Sequence, residues 1–136
     1  MARISRVLET SLYVDDLARA RQFYERHFGL EVLHADARMC AYALGDTVLL
    51  LFQRREGLTA VELPHGTIPP HDGDGPLHVA FAIEASALAT CEKELAEKGI
   101  VLEGRVRWPR GGESIYFRDP DGHLLKLATP GLWANY

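Results

Sequence analysis

The chain repeats itself once. Leu8-Glu9-Thr10-Ser11-Leu12-Tyr13-Val14 is matched 69 residues on by Leu77-His78-Val79-Ala80-Phe81-Ala82-Ile83, and Gly29-Leu30-Glu31-Val32 is matched 70 residues on by Gly99-Ile100-Val101-Leu102. A repeat of that length in a chain of 136 residues leaves room for two copies of one small unit. Between each matched strand and each matched glycine lies a segment with helical spacing, so each copy opens β-α-β. Glu9 and His78 thereby occupy equivalent points of two related strands.

The first helix is expected to start after Asp16, a good N-cap, to carry Leu17, Ala20, Tyr24 and Phe28 on one face, and to stop at Gly29. Its counterpart follows Ser86, with Leu88, Cys91 and Leu95 as the apolar stripe and Gly99 as the stop. After each helix the chain reads as three strands, the last two forming a hairpin. Gly45-Asp46 turns the first hairpin, and Asp119-Pro120-Asp121-Gly122 turns the second. That second sequence lacks the distal glutamate of a calcium loop and is read as a turn. The fold class is α+β: two tandem βαβββ modules, the first over about 5–55 and the second over about 76–136, in a single domain. The connecting residues 56–75 carry Pro64, Pro69, Pro70 and several glycines. That composition argues against a regular element and for a lid or linker that also holds His65 and His71.

Charge and composition exclude several function classes. A net charge of −4 with scattered basic residues gives a polyanion no purchase, so no nucleic-acid partner is expected. No apolar run approaches membrane-spanning length, and a cytoplasmic protein is expected. Cys40 and Cys91 have no metal-type spacing and read as reduced thiols.

Strand alternation singles out the candidate site. Val79, Phe81 and Ile83 make the bulky face that meets a helix, which leaves His78, Ala80 and Ala82 on the other. Two alanines beside a histidine leave room for a cavity. The equivalent face of the first module carries Glu9, Ser11 and Tyr13, and a buried mid-strand glutamate needs a metal, a cation or hydrogen-bond donors. In the closing strand Leu125 and Leu127 flank Lys126, whose side chain then turns the same way as Leu124 and Ala128. Tyr13, Tyr42, Trp108 and Tyr116 are aromatic candidates for the cavity wall, and Arg107 and Arg110 are candidate anion anchors.

Leu12-Tyr13-Val14-Asp15-Asp16-Leu17 with Phe23-Tyr24 and Phe28-Gly29-Leu30-Glu31-Val32, then Gly75-Pro76-Leu77-His78-Val79-Ala80-Phe81 and Phe117-Arg118-Asp119-Pro120-Asp121-Gly122-His123, resembles the vicinal oxygen chelate superfamily of glyoxalases, bleomycin-resistance proteins and extradiol dioxygenases. The resemblance covers almost the whole chain. It implies a glyoxalase-like fold with a cupped half-barrel cavity, a homodimer, an oxygen-rich small-molecule ligand, and divalent metal ligands on the first and last strand of each module.

Carried onto this sequence, those ligand places fall on Glu9, His78, Lys126 and either Leu49 or Leu50. Ammonium and leucine do not ligate, so a nickel, zinc, manganese or iron site would rest on Glu9 and His78, with Gln53 as a further donor if the register differs. Three readings stay open. One is a metal-assisted lyase, isomerase or dioxygenase. Another is a metal-free drug-sequestering protein of the bleomycin-resistance type. The third is a metal-independent enzyme using Lys126, with Glu9 and His78, in catalysis. In the second and third, the Lys126 ammonium keeps positive charge where an ion would sit.

Overall fold

The computed structural model describes residues 3–136, which divide into two compact units, one ending at Gly75 and the other running from Pro76 to Tyr136. In the first, β1 (Glu9–Val14), α1 (Leu17–Phe28), β2 (Glu31–Ala35), β3 (Met39–Leu44) and β4 (Thr47–Gln53) follow one another. Their sheet has the order β1-β4-β3-β2, with β1 parallel to β4 and the other pairs antiparallel. A short hairpin, β5 (Val61–Leu63) with β6 (Gly66–Ile68), completes the unit.

The second unit contains β7 (His78–Ala82), α2 (Leu88–Glu97), β8 (Gly104–Arg107), β9 (Glu113–Arg118) and β10 (Leu124–Ala128). Its sheet order, β7-β10-β9-β8 with β7 parallel to β10, repeats that of the first unit strand for strand. The internal repeat of the sequence is therefore a repeat of topology, and the fold is the two-module α+β arrangement expected from it.

Local signals act as anticipated. Asp16 caps α1 by accepting the Arg19 amide at 3.0 Å. At the other end Gly29 adopts the left-handed conformation, with φ of 59°, and returns its N–H to Glu25. Gln53, anticipated as a possible ligand donor, braces the same helix: its carbonyl accepts the Leu17 amide at 2.9 Å and its amide donates to the Asp15 carbonyl at 2.7 Å. One face of the first sheet forms the core with α1, where Leu12, Val14, Ala20, Tyr24, Leu49 and Leu51 are buried.

The connecting segment departs from expectation. Its prolines suggested irregular chain, yet Val61–Leu63 and Gly66–Ile68 pair in register. Pro64 stands in the two-residue loop between them, where no strand amide is needed and the fixed φ of proline favours the turn. The segment is fastened to its own unit. Arg54 donates from Nε to the Gly73 carbonyl at 3.1 Å and from Nη2 to the Tyr13 carbonyl at 3.2 Å, and it pairs with Asp15.

Candidate ligand site

In the first unit Tyr13, Leu50 and Phe52 share the sheet face away from α1, because β1 and β4 pair Ser11 with Leu50 and Tyr13 with Phe52. Ala41, Leu50 and Phe52 form a buried cluster there, with Tyr13, Met39 and Val48 against it. Together with the connecting segment this face encloses a cavity of about 240 Å³. Met39, Leu50 and Phe52 line it from the sheet, Val61, Ile68 and Pro69 from the hairpin, and Glu9, Arg38 and His71 supply its charge and polarity. His71 Nδ1 shares a hydrogen bond with the Tyr13 hydroxyl at 2.8 Å, and its ring stands edge-on to Phe52 at 4.5 Å. Burial, then the charge of Asp72, raises the Tyr13 phenol above its ordinary pKa, so it stays protonated.

In the second unit β10 pairs Leu124 with His78, Lys126 with Ala80 and Ala128 with Ala82. All six side chains share the face opposite Leu125 and Leu127. His78 Nδ1 lies 2.9 Å from the Leu124 carbonyl oxygen. A carbonyl only accepts, so Nδ1 carries a proton, and in the neutral tautomer of the ring Nε2 is the nitrogen with the lone pair. The imidazole is exposed, and Ala80 and Ala82 beside it leave space. Lys126 is buried on the same face, with Nζ 5.1 Å from the centre of the Trp108 ring and 5.6 Å from that of Tyr116.

Each unit therefore gathers part of the anticipated site: Glu9 and Tyr13 in the first, His78, Lys126, Trp108 and Tyr116 in the second. Tyr42 does not belong with them. It faces α1, fully buried, and donates its hydroxyl to Glu25 Oε1 at 3.0 Å, because residue 42 has the opposite strand parity from the cavity-lining Ala41. Gln53 is committed to α1. Arg107 is well exposed and reaches Glu113 at 3.8 Å, while Arg110 lies exposed in the turn that closes β8 on β9. Of the two leucines left open, Leu50 faces the cavity and is the counterpart of Lys126. Leu49 packs toward the helix.

The cavity wall built by Leu50, Phe52 and the hairpin was not identified in the sequence. Its signal was there in Val48-Leu49-Leu50-Leu51-Phe52, since a strand apolar at consecutive positions has something covering both faces.

Residues 3–127 match the family model described as Glyoxalase/Bleomycin resistance protein/Dioxygenase superfamily. The chain is 35% identical over 117 residues to a metallothiol transferase FosB of Bacillus licheniformis, covering 85% of this chain and 70% of that protein. It is 32% identical over 122 residues to a metallothiol transferase FosB of Staphylococcus epidermidis, covering 85% and 75%. Among solved structures, lactoylglutathione lyase from Agrobacterium tumefaciens superposes with a TM-score of 0.88 at 31% identity, covering 98% of this chain and 99% of that one.

Proposed function

Since the chain belongs to the glyoxalase/bleomycin resistance protein/dioxygenase superfamily, we propose that it binds an oxygen-rich small molecule and moves a proton on it through His78. The observation that carries this reading is the hydrogen bond from His78 Nδ1 to the Leu124 carbonyl, which fixes the tautomer so that Nε2 is the ring nitrogen able to take up a proton on an open, small-residue face. Glu9 holds the equivalent strand position in the first unit and lines the cavity of about 240 Å³ there, where we assign it as a carboxylate base.

The name of the curated relatives implies a metal. Glu9 and the His78 Nε2 are suitable donors, but Lys126 and Leu50 hold the two closing-strand places, and neither side chain offers a lone pair in its ordinary state. No group of three or more His, Cys, Asp or Glu side chains among the described residues is placed to hold an ion. A resident nickel, zinc, manganese or iron ion does not fit this donor set, and the chemistry is assigned to the chain's own groups.

Deuterium exchange into dihydroxyacetone in heavy water, followed by NMR, tests the reading. His78→Asn should slow exchange about 100-fold or more if the ring is the proton acceptor. An unchanged rate would sink it. The kinship with metallothiol transferases supports a narrower version in which the substrate is an electrophile that takes up a thiol. Consumption of free cysteine, with and without manganese, checks that version. We further place the protein in the cytoplasm as a homodimer. None of the helices among the described residues is long and apolar enough to cross a membrane.

A further inference from the structure

Lys126 is the only charged residue of β10 and only 7% of it is exposed. A charge buried this far needs a partner. Four carboxylates of its own unit are engaged elsewhere: Glu92 and Glu113 pair with Arg105, Glu103 with Arg118 and Glu97 with Lys93. What Lys126 has are the faces of Trp108 and Tyr116. Ring faces lower the cost of burying an ammonium, but they leave its three N–H donors without lone pairs.

The two rings are themselves fixed by a directed relay. Trp108 Nε1 donates to Ser114 Oγ at 2.9 Å, and Ser114 Oγ donates to the Tyr116 hydroxyl oxygen at 3.3 Å. An indole N–H only donates, so Ser114 accepts there and spends its single proton on Tyr116. The phenolic proton of Tyr116 is left to be donated onward. Ser114 is fully buried, which holds the relay in place. A cation and an O–H donor thus stand side by side on the face that carries His78. With strands about 4.8 Å apart and a rise of about 3.3 Å per residue, the Cα atoms of Lys126 and His78 lie roughly 8 Å apart.

We propose that Lys126 and the Tyr116 hydroxyl form an oxyanion-binding site, which selects small molecules bearing a carboxylate or a phosphoryl oxygen beside the position His78 can reach. The site rests on the reading of this face as the ligand face and adds the substrate class to it. A fixed ammonium supplies the charge without a dissociable ion, and the phenol supplies direction.

Trp108 reports on the site. The chain has two tryptophans, so Trp133→Phe leaves Trp108 as the single indole probe. Fluorescence titration of that protein with inorganic phosphate and with lactate should saturate for at least one, and the preferred one distinguishes phosphoryl from carboxylate ligands. Lys126→Met should weaken binding at least tenfold and Lys126→Arg should restore it to within a few fold. Tyr116→Phe, which removes one oxygen and leaves the packing intact, should weaken it severalfold. No saturable change with either anion, or binding unaltered by both Lys126→Met and Tyr116→Phe, would overturn the proposal. His78→Asn separates the two readings. Anion affinity kept while proton exchange is lost supports both. Exchange unaffected by His78→Asn removes the proton-transfer reading and leaves the oxyanion site standing.

Discussion

Gly73 has no room for a side chain, since a Cβ there would overlap the Tyr13 ring. Gly73→Ala is expected to push the connecting segment away from β1, break the Tyr13–His71 hydrogen bond and cost about 1–3 kcal/mol in urea unfolding. A variant as stable as the parent would show that the segment yields freely. Asp36 gives a pH signature. Burial pushes its carboxyl up, but hydrogen bonds from His34 and from the amides of Arg38 and Met39 outweigh that and hold it below 3.8. Because the folded value is the lower one, the carboxylate stabilises the β2–β3 turn above pH 3.8, and the contribution fades as pH falls through the depressed pKa. The Arg38 and Met39 amide resonances should titrate together with a midpoint below 3.8, and a midpoint above it would refute the assignment. In the core, Leu51 is fully buried, and Leu51→Ala should cost about 2–5 kcal/mol by the same unfolding measurement.

At the scale of elements, α1 is held from both sides of its N-terminus, by the Asp16 cap and by Gln53. Asp16→Ala removes the first and should lower stability by about 1 kcal/mol. The connecting segment depends on Arg54, which is largely buried against Tyr13 and Gly73. Arg54→Ala should expose residues 55–75 to thermolysin within a folded protein, with the cut sites read by mass spectrometry. Resistance equal to the parent's would mean that the hairpin holds itself. The sequence made the helices and the paired sheets legible because their signals are local: a cap, a left-handed glycine, a period of two. The hairpin was missed because proline was counted and its place in the turn was not. Tyr42 was misplaced for a similar reason. An aromatic residue was taken as a wall by type, whereas the alternation of β3 already set it against α1. That His78 and Lys126 share one face was legible because both lie in strands whose flanking residues announce the two faces.

For the whole molecule, the apolar side chains ahead of β1 stand in water, with Ile4 91%, Val7 72% and Leu8 57% exposed. The homodimer proposed above would cover this run, and light scattering on a sizing column should give the mass of two chains. Ile4→Asp with Val7→Asp should shift the population to one chain. A single-chain mass for the unaltered protein would count against the dimer. One further consequence follows from the connecting segment, whose hydrogen bonds run back to the first unit through Arg54, Arg55 and His71. The whole segment up to Gly75 belongs to that unit, and Pro76 begins the other. The first copy thus carries a hairpin after its last sheet strand, and the second carries none among the described residues. The copies therefore differ on the same face by two separate means: a hairpin covers it in one, and in the other a lysine stands opposite Ala80 where the twin has a leucine opposite Ser11.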